Sequence, residues 1–170
     1  KLTNLIGEIS IKKKGLISAE ISSKINNKND FSLSIKTNSR DEKVTNLFIE
    51  EPEPFIKNYK FIKGFTEGKL SYGSIEKNNE TKANLKIYDF KVQDVPVLAK
   101  LLTLASLQGI ADLLTGEGIR FNEFEMNYQS KQSLTNINEM YAIGPAISIL
   151  IEGYIERNKL TSLRGTLVPA

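Results

Sequence analysis

Four acidic side chains are the residues of this chain whose types could support catalysis, because paired carboxylates can share the roles of nucleophile, general acid and general base. Asp89 and Asp94 flank an apolar stretch, and Glu123 and Glu125 follow it. We interpret Asp94 as a helix cap and the two glutamates as the solvated side of a strand or bulge. We therefore rank an enzyme below the two non-enzymatic hypotheses given at the end of this subsection, and we assign no catalytic residue.

The absent residue types exclude much of the remaining site chemistry. The chain has no His and no Cys, which excludes imidazole-based acid–base catalysis, thiol nucleophiles and the usual zinc sites. The net charge is only +3, and the one basic cluster, Lys12, Lys13 and Lys14, precedes Gly15 in a predicted hairpin turn. We interpret this cluster as a solvated turn rather than a contact with anionic lipid or nucleic acid, and the lack of interleaved aromatic residues disfavours nucleic acid further. We predict no metal, no cofactor and no nucleic acid partner.

Residues 88–118 contain the longest apolar run and predict two short helices. Asp94 is a candidate cap for the first helix, and Pro96 falls in its first turn, where a missing N–H costs little. Ser106 is a candidate cap for the second helix. Gly116 follows that helix at the position where a left-handed cap residue is expected.

Both predicted helices are apolar over more than one face, so they must be buried or must contact something apolar. Two interpretations remain open, in which the pair plugs a β-sheet or touches lipid. A transmembrane helix is excluded, because it needs about 20 uninterrupted apolar residues. Four polar residues interrupt the run, namely Asp94, Lys100, Gln108 and Asp112.

The rest of the chain alternates apolar and polar residues, which is typical of antiparallel strands with one buried face. Four strands precede a short helix or ordered loop over 51–64. A hairpin of strands over 68–76 and 81–88 follows, with its turn at Asn78 and Asn79. Four more strands come after the helices, and the change of phase between Phe121 and Phe124 predicts a bulge or bend. The predicted fold class is mainly β with a short helical pair (α+β). We expect a curved antiparallel sheet that forms a half-barrel or groove, with the helices at one end or filling it.

One domain is the simplest organisation, because no low-complexity linker divides residues 1–170. Residues 1–50 are predicted to be amphipathic strands of the same sheet. The chain starts in a predicted strand rather than at an initiator Met, and it stops abruptly at Ala170. We therefore expect a fragment of a longer protein.

Residues 67–170 contain a series of short motifs in a characteristic order. The motifs are Gly68-Lys69-Leu70, Tyr88-Asp89-Phe90-Lys91-Val92, Val95-Pro96-Val97-Leu98-Ala99-Lys100-Leu101-Leu102, Ser106-Leu107-Gln108-Gly109-Ile110, Leu114-Thr115-Gly116-Glu117-Gly118-Ile119, Phe121, Gly153 and Gly165-Thr166-Leu167-Val168-Pro169-Ala170. In their order and spacing, these motifs resemble the C-terminal region of the AsmA-like envelope proteins, in particular the large YhdP/TamB-related type.

The resemblance implies a non-enzymatic, periplasmic domain in a protein anchored to the inner membrane of a double-membraned bacterium. Such proteins are thought to carry phospholipid between the inner and outer membranes, or otherwise to maintain the outer membrane. The partner would then be phospholipid acyl chains held in an apolar β-groove. The predicted lipid-binding residues are Leu85, Ile87, Val97, Leu101, Ile147, Ile149, Ile151 and Ile155.

The second hypothesis is a structural or interaction module. Open sheet edges can pair with neighbouring β-segments through their free backbone groups. The partner would then be the rest of the parent chain or an envelope assembly protein. Whether the concave side of the sheet is open or filled distinguishes this module from a lipid carrier.

Overall fold

A single antiparallel sheet of ten strands dominates the computed structural model, which describes residues 1–13, 15–57 and 63–170. Strands that are neighbours in the chain are also neighbours in the sheet, and the first and last strands form its two edges. The strands are β1 (Leu2–Lys12), β2 (Gly15–Ile25), β3 (Asn29–Thr37), β4 (Lys43–Ile49), β5 (Lys63–Lys77), β6 (Glu80–Gln93), β7 (Ile119–Lys131), β8 (Leu134–Ile143), β9 (Ile147–Glu156) and β10 (Thr161–Pro169).

The described residues also form three short helices: α1 (Glu53–Ile56) between β4 and β5, and α2 (Pro96–Leu104) and α3 (Gln108–Thr115) between β6 and β7. The predicted fold class, a curved antiparallel sheet with a helical pair, is confirmed. The element predicted over 51–64 contains α1, while its residues 58–62 lie outside the described residues, as does Lys14 of the basic cluster. No described helix has the length and apolar character needed to cross a membrane.

The alternation in the sequence gives the sheet two chemically distinct faces. Strand register lines up apolar side chains across β2–β7 on one side, which we call the apolar face, and mostly polar ones on the other, the polar face. One row of the apolar face is Ile21, Leu33, Leu47, Tyr72, Leu85 and Met126. The adjacent row of the polar face is Ser22, Ser32, Phe48, Ser71, Lys86 and Glu125.

The apolar face is concave. Leu16 of β2 and Thr135 of β8 line the same hollow of about 570 Å³, together with residues of the strands between them. Tyr72 and Tyr128 approach each other within this hollow, with their hydroxyl oxygens 3.4 Å apart. The apolar face therefore forms a trough in this region, while the polar face has a separate hollow of about 1020 Å³ over β1–β6.

The helical pair covers one end of this trough and creates the thickest part of the core. Leu102 of α2 and Leu114 of α3 are completely buried there, together with apolar residues of β5–β9. Beneath them, three phenylalanine rings from adjacent strands stack in a row. The Phe65 and Phe90 ring centroids are 5.5 Å apart, and those of Phe90 and Phe121 are 5.6 Å apart.

The predicted change of phase on β7 is confirmed, and β6 changes phase with it. Tyr88 pairs with Glu123 and Phe90 with Phe121, so the ladder passes over Asp89. Asp89 has a φ of 51°, in the left-handed region, and the register is the same before and after it, so β6 bends here without an inserted bulge residue. Because of this irregularity, the Phe90 and Phe121 side chains return to the apolar face and can pack under the helices.

The two predicted N-caps are wrong, and the predicted C-cap is right in position but not in conformation. Asp94 and Ser106 have φ values of 54° and 60° and lie just outside the helices. Val95 and Leu107 are the N-cap residues instead, and neither makes a side-chain capping bond. Gly116 is the C-cap of α3, as expected, but its φ of −88° is not left-handed. Each of these polar residues lies one position before the N-cap, in a turn with a positive φ. The helices are therefore stabilised by burial of their apolar side chains and not by side-chain capping.

The phenylalanine stack gives the first testable prediction. Phe90→Ala should lower the free energy of unfolding by about 3–5 kcal/mol, because it removes the central ring of the stack and leaves a cavity. Urea unfolding followed by circular dichroism measures this loss. Phe48→Ala on the polar face is the matched control and should cost about 1 kcal/mol or less. Equal losses at the two positions would contradict the assignment of the core.

Candidate functional site

An apolar cavity of about 320 Å³ lies between α2 and the apolar face of strands β5–β9. Its size falls at the lower end of the range of ligand pockets. The strands contribute its floor, including Phe124 of β7 and Met140 of β8, and α2 contributes one wall through Val97, Leu98 and Leu101. Strand alternation places the floor, because alternate residues point to this side both before and after the change of phase in β6 and β7.

Six of the eight predicted lipid-binding residues meet at this cavity. They are Leu85, Ile87, Val97, Leu101, Ile149 and Ile151. Ile147 is fully buried in the core and pairs with Pro169, so it supports the site without lining it. Ile155 lies at the other end of β9, where it pairs with Thr161 and is exposed.

Several lining residues were not predicted, notably Phe65, Phe90, Phe121 and Met140. The predicted strand over 81–88 stops before Phe90, whereas β6 continues to Gln93. The sequence could have indicated this extension, because Phe90 and Val92 alternate with the polar residues Lys91 and Gln93. The side chain of Phe90 faces the cavity only because the ladder irregularity at Asp89 reverses the alternation.

The cavity is open to solvent along α2. Val97 lines it and is nevertheless 69% exposed, and Leu101 lines it and is 39% exposed. Of the described lining residues, Tyr141 alone has a polar side chain, and its hydroxyl group donates to Glu123 and Glu125 on the polar face. Among the residues that the structure describes, the lining thus offers hydrophobic burial and no free charged or hydrogen-bonding side chain.

The two glutamates considered for catalysis belong to a hydrogen-bonded cluster on the polar face of β6–β8. The Tyr141 hydroxyl lies 2.7 Å from Glu125 Oε2 and 3.0 Å from Glu123 Oε1. Lys86 Nζ lies 3.1 Å from Glu125 Oε2, and Asn84 Nδ2 donates to Glu125 Oε1 at 2.6 Å. The cluster ties three adjacent strands together on the side of the sheet opposite the cavity.

This environment holds the Glu125 carboxylate in its charged form. The hydrogen bond from Tyr141, followed by those from Lys86, Asn84 and Asn127, lowers the pKa of Glu125 from 4.5 to about 2. The same bond raises the pKa of Tyr141. A carboxylate that stays ionised and fully engaged is a structural acceptor near neutral pH, since it carries no proton to donate.

The two aspartates lie apart from this cluster in the chain and make different contacts. Asp94 precedes α2, and its Oδ2 lies 3.6 Å from Lys63 Nζ at the solvent-exposed start of β5. Asp89 occupies the exposed ladder irregularity of β6. Within residues 1–13, 15–57 and 63–170, no three acidic side chains converge in an arrangement that could hold a metal ion.

Comparisons with known proteins add no relative: no family model matches the chain, and no curated protein or solved structure matches it. The AsmA-like resemblance stays a prediction, and the candidate site rests on the geometry of this chain.

The Glu125 cluster predicts a specific pH dependence. Tyr141→Phe removes the main cause of the low pKa, so the Glu125 pKa should rise from about 2 toward 4.5. A lowered pKa stabilises the fold above the unfolded value of 4.5, and this contribution disappears as the pH falls to about 2. The variant should therefore be less stable than the wild type above pH 4.5, with a gap that narrows on acidification.

Urea unfolding at a series of pH values, with NMR titration of the Glu125 carboxyl carbon, checks this expectation. Tyr154→Phe on β9 is the matched control and should leave the Glu125 titration unchanged. A stability gap that stays constant from neutral pH to pH 2, or an unchanged Glu125 titration in Tyr141→Phe, would refute the role assigned to Tyr141.

Proposed function

We propose that this chain is a non-enzymatic domain of a bacterial cell envelope whose apolar groove holds phospholipid acyl chains. In this role it contributes to phospholipid transport between the inner and outer membranes, and so to outer-membrane homeostasis. The observation that carries the proposal is the open apolar cavity beside α2, which six of the residues predicted to bind lipid help to line.

The chemistry of the cavity suits an acyl chain better than a polar metabolite. Hydrophobic burial is non-directional, so a groove for acyl chains needs no precisely placed polar group. Each methylene removed from water contributes about 0.8 kcal/mol. A polar ligand would lose hydrogen bonds to water in this cavity, because the hydroxyl group of Tyr141 is engaged on the opposite face.

The cellular setting of the proposal is supported by the motif resemblance of residues 67–170. It suggests a periplasmic location in a parent protein anchored to the inner membrane. The trough shape is compatible with that setting, because a concave apolar face can shield acyl chains from water while the polar face stays solvated. A headgroup would remain outside the cavity, in water.

A second candidate function, pairing through the sheet edges, is favoured by the exposed side chains of β1. This edge strand is 11 residues long. Leu5, Ile6, Ile9 and Ile11 are all exposed along it. Long apolar edges with free backbone groups favour the addition of another strand. The partner would be a neighbouring β-segment of the parent chain or an envelope assembly partner.

Lipid binding can be tested by filling the cavity. Ile151→Trp should reduce the affinity for a fluorescent fatty acid at least about tenfold, because the larger ring occupies space that the acyl chain requires. It should also lower the amount of phospholipid that copurifies with the protein, as measured by mass spectrometry. Leu150→Trp is the matched control, since Leu150 is the neighbouring residue on the polar face and is exposed. This control should bind like the wild type.

Equal binding by the two tryptophan variants would contradict the proposed site. A wild-type protein that neither copurifies with phospholipid nor binds the fatty acid would contradict the proposed function itself. Circular dichroism of both variants checks that they are folded, so that a difference in binding is not caused by unfolding.

The second candidate function predicts association through β1. The double substitution Ile6→Lys with Ile11→Lys should abolish concentration-dependent oligomers, because charged side chains on an edge strand prevent strand addition. Sedimentation velocity measures this effect. Ile75→Lys, at an exposed position of the internal strand β5, is the control and should leave association unchanged. A wild-type chain that stays monomeric at every concentration would count against self-pairing at this edge.

A further inference from the structure

We propose that the exposed side of α2 docks on the surface of a phospholipid bilayer, so that the mouth of the cavity faces the membrane. This inference deepens the proposed function, because it names the partner from which an acyl chain would enter. It concerns a different surface from the cavity interior, and the two can fail independently.

Helix α2 carries an apolar stripe on its outer side. Val97, Leu101 and Leu104 are spaced by four and three residues, which places them on one face of the helix. All three are exposed, and Leu104 is the most exposed at 74%. The inner side of the helix is already anchored, because Leu102 is completely buried against the core. The outer stripe is therefore not needed to hold α2 in place.

The single charge of α2 favours a phospholipid surface over a purely apolar partner. Lys100 is the one charged residue between Pro96 and Leu104, and it is exposed. It lies three residues after Val97 and four before Leu104, so it stands on the side of the stripe. A lysine can place its stem along apolar groups while its ammonium group reaches the phosphate layer. The stripe and Lys100 together match the acyl region and the phosphates of a bilayer surface.

The position of the stripe connects the bilayer with the proposed site. Val97 and Leu101 belong both to the stripe and to the cavity lining, whereas Leu104 belongs to the stripe alone. A bilayer that covers the stripe would lie directly against the open side of the cavity. An acyl chain could then move from the bilayer into the cavity without crossing water.

The test uses vesicles of phosphatidylethanolamine and phosphatidylglycerol in a flotation assay. The wild-type chain should bind, and Leu104→Asp should bind at least about tenfold more weakly, because it exchanges an exposed apolar anchor for a negative charge. Lys100→Gln should weaken binding roughly fivefold at low salt and less at high salt. Leu160→Asp is the matched control, since Leu160 is exposed in the turn before β10, and it should bind like the wild type.

The same variants distinguish docking from cavity binding. Leu104 does not line the cavity, so Leu104→Asp should bind a soluble fluorescent fatty acid like the wild type. Loss of fatty-acid binding in Ile151→Trp with normal vesicle flotation would sustain docking on its own. Docking is overturned if the wild type does not float with vesicles, or if Leu104→Asp floats as well as the wild type. It is also overturned if Leu104→Asp abolishes self-association without affecting flotation, because the stripe would then bind a second copy.

Discussion

Burial of one sheet face beneath two short helices is the interaction on which the rest of this structure depends. A sheet with one apolar face must cover that face with a second layer, and here α2 and α3 cover only the end of β5–β9. Leu102 and Leu114 are completely buried there, whereas Leu33 and Leu47, farther along the same face, are only half-buried. Curvature provides the remaining shelter, because the face folds toward itself. The incomplete second layer is what leaves an apolar cavity open at the margin of α2.

The bend of β6 and β7 beneath the helices also determines which side chains line the cavity. At Asp89 the ladder is irregular, and the Phe90 and Phe121 rings return to the apolar face beneath α2. On the outer side of this bend, Arg120 donates two hydrogen bonds to the Glu67 carboxylate, at 2.8 and 2.9 Å. Both partners are exposed, so this ion pair contributes little to stability compared with the stacked rings. The hydrophobic contacts of the stacked rings therefore contribute more to stability at this bend than the ion pair does. The apolar face is held by hydrophobic packing, and the polar face by hydrogen bonds.

Strict alternation made most of the fold predictable, and features that break alternation account for what was missed. All ten described strands were predicted, most of them from the two-residue period. The hairpin was predicted from the turn-forming residues Asn78 and Asn79, both of which have a positive φ. Where the alternation holds, as at Leu85 and Ile151, the residues predicted to bind lipid line the cavity. Ile147 lies on the same face of β9 as Ile151, but it is buried in the core whereas Ile151 lines the cavity. The alternation of apolar residues indicates the face of a side chain and not how deeply it is buried. The predicted N-caps at Asp94 and Ser106 were wrong because these residues adopt a positive φ in the turns before the helices. Residue type and spacing do not determine this backbone conformation.

The central claim is that the apolar face, and not the polar face, takes up lipid acyl chains. The most direct measurement is photo-crosslinking with a phospholipid that carries a photoreactive group near the end of one acyl chain, followed by peptide mapping. Labelled residues should include Phe124 and Met140 on the cavity floor. Labelling concentrated on the polar face, at residues such as Asn46 and Ser71, or no labelling above that of a protein denatured before irradiation, would contradict the claim.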